Sequence, residues 1–164
     1  MGKSAGPLRR KGDGRTGAKM PEDDALPWGT AQRASARPGA LEWLLDYEIR
    51  CASRYRRFTT VVMVASVRDS CNMRDLLGEC LRASDAFFQT NGTAAILMGE
   101  TDVLGALTAV NRYKDLCKED SDLRFAVASY PTDVRAAPEM LATVQRRLRA
   151  AKALKEPGAV VSAG

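Results

Sequence analysis

Two apolar runs, Ala86-Phe-Phe-Gln-Thr90 and Thr93-Ala-Ala-Ile-Leu-Met98, are separated only by Asn91-Gly92. Asn-Gly is the dipeptide that best tolerates positive φ at both central positions of a two-residue type I′ turn, whose twist matches that of the strands it joins. A β-hairpin is therefore predicted over Ala86–Met98, and the rest of the chain has to supply the strands and helices that cover it.

The segment Thr59-Thr-Val-Val-Met-Val-Ala-Ser-Val67 is β-branched, nearly uncharged and too short for a typical helix, which suits a central strand buried on both faces. Before it, Leu41, Leu44, Leu45, Ile49 and Ala52 recur at three- and four-residue spacing among charged residues, an amphipathic helix. Trp43 and Tyr47 fall off its main apolar stripe; they either broaden the core-facing side or meet a second copy or a partner. Met73, Leu76, Leu77, Cys80 and Leu81 predict a helix over Asn72–Leu81, ending near Arg82-Ala-Ser-Asp85. Thr101 to Cys117 repeats the helical pattern, with Thr101 or Asp102 able to cap it. Leu123–Ser129 reads as another strand, and Pro138 opens a last helix that Pro157-Gly158 stops. Of Phe87 and Phe88, one is expected in the core and the other on the sheet face. The order α-β-α-β-β-α-β-α implies an α/β (α+β) fold, a mixed central sheet with flanking helices rather than a parallel βαβ wind.

Residues 1–38 are poor in large apolar groups and rich in Gly, Pro, Ser, Lys and Arg, so they are expected to be a disordered basic tail. One domain over 39–156 and a flexible C-terminus over 157–164 complete the expected organisation. The net charge is +5, and the tail alone carries eight Lys/Arg against four acids. Without interleaved aromatics this excess is thin support for a nucleic-acid partner. No apolar run approaches bilayer length and no apolar segment follows the basic N-terminal residues, which leads to the expectation of a cytoplasmic protein without a membrane span. Cys51, Cys71, Cys80 and Cys117 lack zinc-site spacing and are expected to be free thiols. There is no histidine, which removes the commonest general base and transition-metal ligand.

From Leu41 to about Lys152 the chain resembles the bacterial GGDEF (diguanylate cyclase) domain. Leu44-Leu-Asp-Tyr-Glu-Ile-Arg-Cys-Ala-Ser-Arg-Tyr-Arg-Arg-Phe58 is similar to the helix leading into that domain. Arg82-Ala-Ser-Asp85 resembles the Arg-x-x-Asp of its inhibitory site, with Asp85 six residues before Asn91. Glu100-Thr-Asp102, Arg112, Ala128-Ser-Tyr-Pro131 and Ala151-Lys152 resemble the segments that follow the hairpin.

Where active relatives carry Arg-Tyr-Gly-Gly-Asp/Glu-Glu-Phe, this chain reads Gln89-Thr-Asn-Gly-Thr-Ala-Ala95, and the Asp-x-Asp of the first strand corresponds to Ala65-Ser66-Val67. The segment between that strand and the hairpin is also shortened. Phosphoryl transfer from GTP needs divalent cations held by carboxylates at fixed places. The resemblance therefore implies a degenerate, shortened member with no catalytic residues, no metal site and no cofactor. It further implies cyclic-di-GMP as ligand, bound by Arg82, Asp85 and Arg112, since guanidinium groups fork onto phosphates and guanine acceptors while a carboxylate receives guanine donors. Receptors of this kind resemble those attached to polysaccharide synthesis or secretion, with an unidentified protein partner or a homodimer as output. The bland alternative stays open: Arg-x-x-Asp also occurs at Arg10–Asp13 and Arg112–Asp115, and alone it reads as a surface ion pair.

Overall fold

The computed structural model describes residues 39–67, 72–117 and 122–163. The expected tail and Cys71 lie outside these residues. Helix α1 (Ala40–Tyr55) leads into strand β1 (Thr59–Ser66), followed by the short helix α2 (Met73–Leu77) and a 3₁₀ turn (Gly78–Cys80). The hairpin β2 (Ala86–Thr90) and β3 (Thr93–Gly99) comes next, then α3 (Val103–Leu116), β4 (Leu123–Tyr130), α4 (Ala137–Ala153) and β5 (Val160–Val161). The strands form one sheet in the order β2-β3-β1-β4-β5, antiparallel except for the parallel β4–β5 edge.

β1 occupies the centre, as its uncharged composition predicts. Alternate residues feed opposite cores: Val62 and Val64 join Phe87, Ile96, Val110, Tyr113 and Phe125 under α2 and α3. Val61, Met63 and Ala65 join Leu45, Ile49, Met140, Val144 and Leu148 under α1 and α4. The period-two alternation of a strand thus makes one run serve two layers. Phe87 and Phe88 are both buried, one in each layer, because β2 is covered on both faces. Asn91 (φ 47°) and Gly92 (φ 71°) adopt the positive values that the turn demands.

The structure departs from the sequence expectations in two places and decides between alternatives in a third. The helix expected over Asn72–Leu81 keeps α geometry only to Leu77, Gly78 being a poor helix former, and tightens into the 3₁₀ turn. Asn72 caps its start by accepting a hydrogen bond from the Arg74 amide at 3.2 Å. Of the two candidate caps for α3, Asp102 acts, its Oδ1 accepting from the Gly105 amide at 2.8 Å. Within the C-terminus expected to be flexible, Val160 and Val161 pair with Phe125 and Ala126, a strand too short to be visible as a pattern.

Asp133, in the loop after β4, and Arg147, on α4, form a bidentate ion pair with both contacts at 2.9 Å. Arg147 Nη1 also donates to the Val127 carbonyl at 2.7 Å, and Asp133 Oδ2 accepts from the Ser129 amide at 2.8 Å. In the sequence Arg147 is one of several cations along the last helix, with nothing local to mark it.

Candidate functional site

The loop from Cys80 to Asp85 joins the 3₁₀ turn to β2. The Asp85 amide donates to the Arg82 carbonyl at 3.0 Å, closing a β-turn, and Asp85 Oδ2 accepts from the Arg82 amide at 2.9 Å. Asp85 therefore shapes its own turn, and the Arg82 side chain stands exposed from it with no hydrogen bond or ion pair among the described residues.

Arg112 reaches the same loop from α3. That helix is held by Ala106, Ala109, Val110 and Tyr113, which places Arg112 at the border of its buried face. Its Nη2 donates to the Cys80 carbonyl at 2.8 Å, two residues before Arg82. Arg82, Asp85 and Arg112 thus belong to one surface, joined through the Cys80–Asp85 backbone.

Two groups here were not singled out from sequence. Cys80 is buried, and burial pushes its thiol pKa up, with Arg112 acting in the opposite direction. Tyr113 is fully buried, and its hydroxyl makes no well-formed hydrogen bond among the described residues, the Arg112 guanidinium lying beside it. Burial, then the nearby Asp85 charge, pushes its pKa up to about 12, against the opposing influence of Arg112. The signal available in the sequence was the position of Tyr113 on the buried stripe of α3, next to Arg112.

A spectrophotometric titration of the folded protein should show a tyrosine ionising near pH 12 that is absent in Tyr113→Phe. The same substitution removes a buried hydroxyl that lacks a well-formed hydrogen bond, so stability should stay unchanged or rise by up to about 1 kcal/mol. Loss of more than that would mean the hydroxyl has a partner.

The hairpin tip lies away from this loop, at the other end of β2. Thr93 is in register with Ala65, and Ala94 with Val64, so the turn sits beside the C-terminal end of β1. The residues at this end of the sheet are Ala65, Ser66, Thr93 and Ala94, with the Ala65 and Ala94 side chains on opposite faces. Among the described residues no group of three or more His, Cys, Asp or Glu side chains could hold a metal ion, and no helix is long and apolar enough to cross a membrane. Cys51 and Cys80 are free thiols.

Neither a protein-family model nor a curated protein matches the chain. Solved structures do match. The isolated GGDEF domain of TpbB (YfiN) from Pseudomonas aeruginosa aligns with a TM-score of 0.67 at 17% identity, over 80% of this chain and 92% of that one. The fold is that of a GGDEF domain. The diguanylate cyclase SiaD of the same organism, solved with its activator SiaC, gives 0.65 at 13% identity over 79% of this chain and 60% of that one. The active GGEEF domain of a Vibrio cholerae diguanylate cyclase gives 0.60 at 11% identity, over 74% and 93%. The mixed sheet with flanking helices, expected from the order of elements, is thus the GGDEF arrangement, and Arg82–Asp85 leads into the β2–β3 hairpin.

Proposed function

We propose that this chain is a non-catalytic cyclic-di-GMP receptor of GGDEF fold, binding the dinucleotide at Arg82, Asp85 and Arg112 and relaying its presence through a protein contact. The observation that carries the proposal is the convergence of Arg112, from α3, on the Cys80–Asp85 loop that also presents Arg82. Two guanidinium groups from separate elements can grip phosphates or stack on guanine, and the Asp85 carboxylate can accept a guanine edge while its Oδ2 holds the turn. The residues at the hairpin tip support the non-catalytic reading. Thr93, Ala94 and Ser66 offer no carboxylate for the cations that phosphoryl transfer requires.

Isothermal titration of the full chain with cyclic-di-GMP, with GTP as control, is expected to give micromolar or tighter binding. Arg82→Ala should weaken it roughly tenfold or more, because a charge-assisted bond is lost while the turn, held by backbone and Asp85, remains. A flat titration, or equal binding by Arg82→Ala, would overturn the proposed site. A flat titration would favour a second reading, a ligand-free scaffold for dimerisation or docking, for which there is also a specific observation. Asp85 and Arg112 already have internal partners, the Arg82 amide and the Cys80 carbonyl, that account for them without a ligand.

A further inference from the structure

The side of α1 turned away from the sheet carries Trp43, Tyr47, Arg50 and Arg54, at the i, i+4, i+7, i+11 spacing that keeps side chains on one line of a helix. All four are exposed, Trp43 at 65% and Tyr47 at 53%, and the two rings stack with centroids 6.0 Å apart and planes 9° from parallel. The helix does not need them for anchorage, since Leu45, Ile49 and Ala52 already fix it to the domain. A single exposed apolar residue calls for no explanation, but two adjoining large aromatics on a solvated face mark a contact surface.

The charges along the same helix are segregated. Glu42, Asp46 and Glu48 come first along it and Arg50 and Arg54 after them, with Arg56 and Arg57 just beyond; Asp46 and Arg50 meet in an exposed ion pair at 2.7 Å, which a partner's charges would share. A partner must therefore offer cations to the aromatic and acidic half, and aromatic or acidic groups to the basic half. A second α1 running in the opposite direction offers both.

We propose that α1 pairs antiparallel with α1 of a second copy of this chain, about a two-fold axis passing between Glu48 and Ile49. Trp43 then meets the partner's Arg54, and Tyr47 meets the partner's Arg50, each a guanidinium against an aromatic ring. Glu42 and Asp46 fall one residue from the level of the same two arginines and supply opposite charge. Because the contact is isologous, every one of these pairs occurs twice. Parallel pairing would instead set arginine against arginine and carboxylate against carboxylate, which selects the antiparallel arrangement. One pair of 16-residue helices makes a small interface, so association belongs in the micromolar range. The proposal is independent of any ligand.

Sedimentation equilibrium of the full chain, from about 1 to 300 µM, is expected to show a reversible dimer. Trp43→Ala with Tyr47→Ala should weaken it by roughly tenfold or more. The melting temperature of the dilute monomer should be unchanged, which separates lost docking from lost folding. Arg50→Glu with Arg54→Glu, and separately Glu42→Arg with Asp46→Arg, should each weaken self-association, whereas a mixture of the two charge-altered chains should associate one to one. A parent chain that stays monomeric throughout this range would overturn the pairing and leave the face to a different partner. So would a dimer unaffected by the aromatic and charge variants, or altered chains that fail to associate when mixed.

Discussion

Arg147→Ala is expected to lower the free energy of unfolding by about 3–5 kcal/mol, the cost of leaving a buried charge without its partner. The Asp133 side chain is only 5% exposed and that of Arg147 16%, so the substitution leaves a largely desolvated carboxylate with the Ser129 amide as its remaining partner. The substitution also removes a donor from the Val127 carbonyl. Since Asp133 lies in the β4–α4 loop and Arg147 on α4, the pair fixes how that helix lies against the sheet. Arg147→Met keeps much of the aliphatic stem and should lose nearly as much in denaturant unfolding. If Arg147→Met were close to the parent, stem packing rather than charge would be the cause.

The same pair fixes a pH dependence. Desolvation by burial raises the Asp133 pKa, but the Arg147 hydrogen bonds, the Ser129 amide and the Arg147 charge outweigh it and hold the carboxyl below its ordinary value. A carboxyl whose folded pKa is depressed contributes stability that is fully present above its unfolded pKa, about 3.9, and is lost as pH falls through the folded pKa. The gap between parent and Arg147→Ala should therefore be wide near neutrality and narrow on acidification below about pH 4. Unfolding curves at neutral and acid pH would measure it, and a gap that widens with acid would contradict the assignment.

Leu45→Ala is the second large effect, expected to cost about 2–5 kcal/mol through lost burial and the cavity left behind. Leu45 is fully buried and belongs to the same core as Met140, Val144 and Leu148 of α4, so α1 is packed into the domain rather than appended to it. Trp43→Ala, two residues away on the solvated side, should change the stability of the monomer by no more than about 0.5 kcal/mol. The contrast assigns the inner face of α1 to folding and the outer face to association. A Leu45→Ala protein as stable as the parent would mean that the helix contributes little to the domain.

The elements with a strong local signal were legible. Asn91-Gly92 specifies its turn through backbone conformation alone, and the uncharged run Thr59–Ser66 can sit only where both faces are covered. Periodicity also placed α1, α3 and α4, because a helix in contact with a core must repeat its apolar residues every three to four positions. The early loss of α geometry at Gly78 and the two-residue β5 were not legible, being shorter than any repeat.

For the candidate site, the resemblance to the GGDEF family pointed to Arg82, Asp85 and Arg112, and the hairpin letters Thr93, Ala94 and Ala95 leave no acid at the turn. Only the packed fold decided that Arg112 bonds to the Cys80 carbonyl, that Tyr113 is buried beneath this loop, and that Arg147 serves Asp133 rather than solvent. Each of these joins residues 14 or more positions apart or depends on which side of a helix meets the sheet. Local sequence fixes backbone preference and apolar rhythm; the pairing of distant polar groups is decided when the elements pack and bury them.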